Sequence, residues 1–189
     1  NRSDAFFPTW AEIPAQHRIP APVEQREYLI DGELRRLDGA SQDVFSPVCV
    51  KTAKGLERHR IGSFPLMTEA EALAVLDAAV AAYDNGRGVW PTMAVSERIR
   101  HIQLFAARMK ERRDEVVRLL MWEIGKTLKD AEKEFDRTVA YIADTVDALK
   151  ELDRTSSRFT IAEGIIGQIR RAPLGVTLCM GPYNYPLNE

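Results

Sequence analysis

The feature that most constrains the fold is a short apolar run close to the end of the sequence, at residues 176–180. It reads Val-Thr-Leu-Cys-Met, with Pro173 and Gly175 before it and Gly181 and Pro182 after it. An apolar run of this length between turn residues is typical of a central strand in a parallel sheet, which is buried on both faces. We therefore predict an α/β protein in which residues 176–180 form such a strand.

A stiff loop follows this run, because Pro182 and Pro186 both restrict the backbone. The loop carries Asn184 between Tyr183 and Tyr185, and ligands of open α/β sheets bind just beyond the carboxyl ends of the strands. A side-chain amide held in such a loop can donate a hydrogen bond to a developing oxyanion. The alternative is an Asx-type turn, in which the Asn184 side chain bonds its own backbone. The spacing alone favours this turn.

Residues 182–186 read Pro-Tyr-Asn-Tyr-Pro, which resembles the Pro-aromatic-Asn-aromatic-Pro segment of the aldehyde dehydrogenase superfamily. The helix order before it, with Glu-x-Gly-Lys at 123–126, is similar to the N-terminal part of the same fold. The resemblance implies that Asn184 is catalytic, since this Asn helps to hold the thiohemiacetal oxygen, and that Asn184 and Tyr185 contact the substrate. It also implies a cofactor site lined by the residues just before the Asn: Met180, Gly181, Pro182 and Tyr183.

Within the superfamily, residues 179–189 most resemble the non-phosphorylating, NADP-dependent glyceraldehyde-3-phosphate dehydrogenases. The resemblance implies oxidation of glyceraldehyde 3-phosphate to 3-phosphoglycerate through a thiohemiacetal and a thioester on a cysteine. It implies NADP as the cofactor, with NAD as the alternative. No Gly-x-Gly-x-x-Gly follows the apolar run, so the cofactor depends on the resemblance alone. Two other functions stay open: a dehydrogenase for another aldehyde, such as succinate semialdehyde or an aminoaldehyde, and a non-enzymatic interaction module.

Arg137 is the candidate for binding the charged end of the substrate. It lies two residues from both Phe135 and Val139, so it points away from the apolar stripe of a predicted helix. Spacing alone favours a solvated ion pair with Glu134, one turn earlier. However, residues 134–138 resemble the helical segment from which the glyceraldehyde-3-phosphate-oxidising branch recruits an Arg to its substrate phosphate. A guanidinium group matches a phosphate bidentately, which a Lys does not.

Composition and charge exclude several partner classes. The formal net charge of -2 favours neither a nucleic acid nor an anionic membrane surface. No apolar run approaches the roughly 18 residues of a membrane-spanning helix, and no signal-peptide pattern opens the sequence. Cys49 and Cys179 lie in apolar, strand-like segments, and neither has a Cys or His nearby at the spacing of metal ligands. This pattern predicts that both are reduced core residues of a cytoplasmic protein and that they form no metal site.

The sequence divides into four segments. Residues 1–24 are predicted to form an extended N-terminal arm that docks through its aromatic residues. Residues 25–156 and 173–189 resemble the N-terminal part of the NAD(P)-binding domain. Residues 157–172 resemble the β-ribbon used for oligomerisation, which implies a homodimer or homotetramer. We expect the catalytic domain, with the family's Cys nucleophile and Glu base, to lie beyond this sequence, so that the 189 residues alone are inactive.

Local signals place the individual elements. Asp31-Gly32 predicts a two-residue hairpin, and a second hairpin should turn near Lys54-Gly55. Thr68 and Glu71 form a capping-box pair that predicts the start of a helix. This helix has an apolar stripe at Leu73, Leu76, Val80 and Tyr83. Three further helical segments also carry apolar stripes, and all four stripes are expected to be core. The longest begins at Thr127 and has its stripe at Leu128, Ala131, Phe135, Val139, Ile142, Val146 and Leu149.

Overall fold

The computed structural model describes residues 6–188. Its strands are β1 (Val23–Glu24), β2 (Glu27–Ile30), β3 (Glu33–Arg36), β4 (Ser41–Thr52), β5 (Gly55–Pro65), β6 (Thr160–Ala162) and β7 (Ile165–Gly167). Its α-helices are α1 (Glu69–Tyr83), α2 (Val89–Thr92), α3 (Val95–Glu111), α4 (Arg113–Ile124) and α5 (Leu128–Ser156). Single 3₁₀ turns lie at Trp10–Glu12, Ala15–His17 and Asp84–Gly86. The α/β class is confirmed, with a mixed sheet and five α-helices in the described residues.

The strands form three separate sheets. Strands β1, β5 and β4 lie in that order, with β1 parallel to β5 and β4 antiparallel to β5. Strands β2 and β3 form a hairpin of their own, as do β6 and β7. Both predicted hairpin turns are confirmed: Asp31 and Gly32 have φ of 52° and 76°, and Thr52 pairs with Gly55 across the turn between β4 and β5. The turn between β6 and β7 has the geometry of the first, with φ of 50° at Glu163 and 81° at Gly164. Positive φ at both central positions is the geometry that matches the twist of a hairpin.

The long helix α5 and the shorter α4 enclose the main core. The buried residues of this core are Val117, Leu120, Ala131 and Phe135, of which Ala131 and Phe135 are 0% and 1% exposed. Thr127 caps α5 by accepting a hydrogen bond from the Asp130 backbone N–H at 3.2 Å. Helix α4 ends at Gly125, whose φ of 69° lets the chain reverse direction into α5.

A second core joins α4 to the sheet and to the N-terminal segment. It contains Ile19, Val50, Ile61 and Trp122. The Trp122 indole N–H donates to the His17 carbonyl at 2.6 Å, and Trp10 lies 5.5 Å from Trp122 between ring centroids. The N-terminal segment thus docks through Trp10, whereas Phe6 is 83% exposed. Residues 1–5 of the predicted arm lie outside the described residues.

The stripe of α1 is not buried, contrary to the prediction. The capping box is confirmed, with the Thr68 backbone N–H donating to Glu71 at 2.6 Å. However, Leu73, Leu76 and Val80 are each about half exposed. Helix α3 similarly buries Ile99 and leaves other stripe residues open. Within residues 6–188, the α1 stripe at Leu73, Leu76 and Val80 is thus left open, whereas the α3 stripe is covered in part, since Ile99 is buried and Met109 packs against the main core.

The predicted strand at residues 176–180 is wrong for the described part of the chain. These residues have no ladder partner, and Leu178 and Met180 are 83% and 79% exposed. A strand exists only when a neighbour accepts and donates its backbone hydrogen bonds, and no described strand lies beside this segment. The expectation that both cysteines are core residues fails with it, because Cys179 is exposed, whereas Cys49 is half-buried. Both thiols are free.

Candidate functional site

A charged cleft lies between helix α5 and the loop that carries Asn184. Its volume is about 290 Å³. Its lining residues are Lys126, Asp130, Lys133, Glu134, Arg137, Tyr185 and Asn188. The cleft brings together two of the predicted substrate-binding residues, Arg137 and Tyr185, which are far apart in the sequence.

Two of the three cations that line the cleft have no partner within residues 6–188. The carboxylate of Asp130 accepts a hydrogen bond from the Thr127 hydroxyl at 2.7 Å, and the carboxylate of Glu134 pairs with Lys126. Neither carboxylate approaches Lys133 or Arg137 closely enough for an ion pair. Lys133 and Arg137 lie one turn apart on the same face of α5. The unpaired charge that faces a ligand in the cleft is therefore positive.

The ion pair with Glu134, which spacing alone favoured for Arg137, is absent from residues 6–188. Glu134 lies on the buried side of α5, with its side chain 1% exposed, while Arg137 is exposed at the cleft. Because the connection between α4 and α5 places Lys126 beside Glu134, the Glu134 carboxylate pairs with Lys126. Arg137 consequently keeps all its guanidinium donors available for a ligand.

Glu134 also holds the Asn184 loop. One carboxylate oxygen accepts a hydrogen bond from the Leu187 backbone N–H at 3.1 Å, and the other accepts from Lys126 Nζ. The Lys126 ammonium lies 3.8 Å from the centroid of the Tyr185 ring, within the range of a cation–π contact. The Thr138 hydroxyl adds a long contact of 3.4 Å to Asn188. Helix α5 therefore contacts the loop at Leu187 and Asn188, and the connection before α5 contacts it at Tyr185.

Asn184 itself is exposed and does not line the cleft. Its side-chain amide makes no hydrogen bond with any residue of the described chain, so the Asx-type turn is absent there. Both amide N–H donors remain available for a ligand. Its predicted role in holding an oxyanion stays a prediction.

The four predicted cofactor residues form an exposed strip before Asn184. Met180 and Tyr183 are 79% and 89% exposed, Gly181 is exposed and Pro182 is half-buried. Met180 and Tyr183 thus present a thioether and an aromatic ring at the surface. Their role also stays a prediction.

Sequence reasoning missed Lys126, Lys133, Glu134 and Asn188 as site residues. The spacing of Lys133 and Arg137 was a usable signal, because residues four apart share a helix face. No comparable signal identified Lys126, since its contact with Glu134 depends on how the chain turns between α4 and α5. Glu134 was seen, but only as a partner for Arg137.

A second cavity, of about 320 Å³, lies beside the cleft between α3 and α5. It is mostly apolar, with Trp90, Ile99 and Tyr141 among its lining residues, and it shares Asn188 with the cleft.

Within residues 6–188, no group of three or more His, Cys, Asp and Glu side chains could hold a metal ion. None of the helices in that range has the length and apolar character that a membrane crossing requires.

Residues 46–189 match the sequence model of the family described as the aldehyde dehydrogenase family. Malonate-semialdehyde dehydrogenase 1 of Bacillus licheniformis is 31% identical over 159 residues, which are 84% of this chain and 30% of the relative. N-succinylglutamate 5-semialdehyde dehydrogenase of Chromobacterium violaceum is 34% identical over 117 residues, which are 62% of this chain and 24% of the relative. The chain thus spans about a quarter to a third of the length of these curated relatives.

Solved structures with the same architecture bind either nicotinamide cofactor. The NADP-dependent glyceraldehyde-3-phosphate dehydrogenase of Bacillus halodurans, solved with NADP, has a TM-score of 0.66 at 26% identity and covers 88% of this chain and 33% of its own. The betaine aldehyde dehydrogenase of Staphylococcus aureus, solved with NAD⁺, has a TM-score of 0.68 at 24% identity and covers 87% and 31%. The second likeness shows the fold alone.

Proposed function

This chain belongs to the aldehyde dehydrogenase family, and from that premise we propose that it forms part of an enzyme that oxidises an aldehyde with an anionic tail. The proposed substrate is glyceraldehyde 3-phosphate, the product is 3-phosphoglycerate, and the proposed cofactor is NADP, with NAD as the alternative. The observation that carries the proposal is a pair of cations in the cleft beside the Asn184 loop, Lys133 and Arg137, for which residues 6–188 provide no ion-pair partner.

The charge of the cleft supports a phosphate more than a carboxylate. A phosphate monoester carries about −1.5 to −2 charges at neutral pH, whereas a carboxylate carries one. Arg137 offers a planar fork of donors to two phosphate oxygens, and Lys133 offers a second cation one turn away. The hydroxyl of Tyr185 can donate a further hydrogen bond to the same group. We assign the recognition of the substrate tail to these three residues.

Asn184 is assigned to the reacting end of the aldehyde. Attack of a cysteine thiolate on the aldehyde carbon places negative charge on the aldehyde oxygen. An amide N–H of Asn184 donates to that oxygen as the charge develops, which lowers the barrier. When bound, a nicotinamide cofactor would supply the acceptor for the hydride that leaves the thiohemiacetal carbon, and water would then release the carboxylic acid from the resulting thioester. Met180, Gly181, Pro182 and Tyr183 are assigned to the surface on which the cofactor lies.

A second candidate is an aldehyde with a carboxylate tail. It is favoured by the relatives, since those at 31% and 34% identity are named as dehydrogenases of malonate semialdehyde and N-succinylglutamate 5-semialdehyde. Succinate semialdehyde represents this class in an assay. An aldehyde of this class would bind to the same cations, but its carboxylate tail would carry less negative charge than a phosphate.

The test compares aldehydes that differ in their tail. The complete protein is assayed for formation of reduced cofactor with glyceraldehyde 3-phosphate, glyceraldehyde and succinate semialdehyde, each with NADP and with NAD. A phosphate site predicts a kcat/KM for glyceraldehyde 3-phosphate that exceeds that for glyceraldehyde by roughly 10- to 150-fold, the effect of one charge-assisted pair. A preference for succinate semialdehyde would favour the second candidate. Equal values for glyceraldehyde and its phosphate would contradict a tail site in the cleft.

A further inference from the structure

We propose that Glu134 is a positioning residue for the reaction, and that its carboxylate, together with Lys126, fixes the loop that presents Asn184 and Tyr185. The inference rests on the proposed function, because there this loop meets the aldehyde. Glu134 does not touch the substrate in this proposal. It acts through the backbone of Leu187 and through the Lys126 ammonium.

The carboxylate of Glu134 is placed to hold two groups at once. It is 1% exposed and accepts from the Leu187 N–H with one oxygen and from Lys126 Nζ with the other. Hydrogen bonds to an ionised acceptor are shorter and stronger than neutral ones. The backbone at Leu187, three residues after Asn184, is thereby tied to α5, the longest helix in the described chain.

Lys126 extends the same connection to a second point of the loop. Its side chain is 16% exposed, and its ammonium lies 3.8 Å from the centroid of the Tyr185 ring. The attraction between a cation and an aromatic face strengthens when both are shielded from water. A single ion pair therefore restrains both Tyr185 and Leu187, on the C-terminal side of Asn184.

The ion pair between Lys126 and Glu134 contributes more to the position of the loop than to the stability of the fold. Burying two charges costs desolvation free energy that their attraction only partly offsets, so a buried pair is weak evidence of a stabilising role. Helices α4 and α5 already pack through Phe135 and its apolar neighbours. What the pair adds is a defined place for the loop, and displacement of a catalytic group by about 1 Å can cost roughly 100-fold in rate.

The first experiment measures the loop directly and needs no activity. Amide hydrogen exchange is followed at Leu187 in the complete protein, its Glu134→Gln variant and the control Asp144→Asn, which removes an exposed, unpaired carboxylate from the same helix. A glutamine has an NH2 donor in place of one carboxylate oxygen, so it cannot accept from Leu187 and Lys126 on separate atoms as Glu134 does. We expect Leu187 to exchange at least about tenfold faster in Glu134→Gln and unchanged in Asp144→Asn. Equal exchange in all three would overturn the proposal.

If Glu134→Gln does not fold, the double variant Lys126→Met with Glu134→Met replaces both charges. Replacement of a whole buried pair by apolar side chains is often tolerated. The same increase in exchange at Leu187 is expected, and protection equal to that of the unchanged protein would overturn the proposal.

The second experiment tests whether Glu134 acts through Asn184. Glu134→Gln should lower kcat roughly 10- to 100-fold with little change in KM for the cofactor. In an Asn184→Ala background the same substitution should have almost no further effect, since the misplaced group is already gone. Fully additive effects would contradict a positioning role. If the unchanged protein oxidises none of the aldehydes, the proposed function is wrong, while the exchange experiment still decides whether Glu134 holds the loop.

Discussion

The carboxylate of Glu134 accepts a hydrogen bond from the backbone N–H of Leu187 at 3.1 Å, across 53 positions of the sequence. This contact joins the middle of α5 to the loop that follows Asn184. It places the exposed cation Arg137, on the same helix, beside Tyr185 of that loop. The residue that joins the two sides of the cleft is thus Glu134, which is buried, although spacing alone favoured a solvated ion pair for it.

Arg137→Leu is expected to weaken recognition of a charged tail. Removal of one charge-assisted pair should raise KM for glyceraldehyde 3-phosphate roughly 10- to 150-fold and leave KM for glyceraldehyde almost unchanged. Steady-state kinetics with both aldehydes gives the comparison. The control is Lys129→Leu, which removes an unpaired, exposed cation that does not line the cleft. Equal changes with both aldehydes would indicate that Arg137 does not contact the phosphate.

Asn184→Ala is expected to lower kcat about 100- to 1,000-fold, the usual cost of one oxyanion donor. The dissociation constant of the cofactor should change little, because the amide acts on the aldehyde oxygen. Pre-steady-state and steady-state turnover of the complete protein measure the effect. Gln103→Ala removes an exposed amide from α3 and serves as the control. A kcat within threefold of the unchanged protein would leave Asn184 as a surface loop residue.

The ribbon of β6 and β7 is expected to mediate self-association into a homodimer or homotetramer. Ile161 and Ile166 are paired across it and are 74% and 67% exposed, so they present apolar surface and open strand edges. Replacing both with Asp should shift the complete protein to smaller species in sedimentation velocity. The matched control is the pair Leu29 and Leu34, which face each other in the β2–β3 hairpin and are 66% and 68% exposed. An unchanged sedimentation coefficient for the Ile161 and Ile166 variant would place the interface elsewhere.

Phe135→Ala should destabilise the fold far more than Phe105→Ala. Phe135 is 1% exposed in the core between α4 and α5, so its removal should lower the free energy of unfolding by about 3–5 kcal/mol. Phe105 is 59% exposed, and a surface substitution typically changes that free energy by about 0.5 kcal/mol or less. Urea unfolding of both variants tests the difference. A large loss in Phe105→Ala would show that the α3 face is covered in the complete protein.

His59 should make stability depend on pH below its ordinary pKa of 6.5. Burial beside Trp10 and Trp122 lowers the pKa of His59 in the folded protein. The unfolded chain then binds the proton more readily, so stability is complete above pH 6.5 and falls as the pH drops below it. His59→Gln should reduce the loss of melting temperature on acidification, whereas the exposed-site control His101→Gln should not. An identical pH profile in both variants would contradict this prediction.

Elements defined by neighbouring residues could be predicted from the sequence. The capping box of Thr68 and Glu71, the hairpin turn at Asp31-Gly32 and the apolar period of α5 all depend on groups within a few positions of one another. Backbone sterics and local hydrogen bonds act over that distance, so the residues alone specify the outcome. The resemblance carried by residues 182–186 identified the family for the same reason, since the segment is continuous.

Tertiary structure alone decided the properties that depend on distant partners. Residues 176–180 have the composition of a buried strand, but pairing requires a neighbour, and none lies beside them in residues 6–188. Spacing alone favoured a pair between Glu134 and Arg137 on the same helix, but the turn between α4 and α5 brings Lys126 to the Glu134 carboxylate instead. As a result, Arg137 has no ion-pair partner in the described part of the chain, and Leu187 is tied to α5. Burial and charge pairing are properties of the folded arrangement, because only the fold determines which groups lose contact with water.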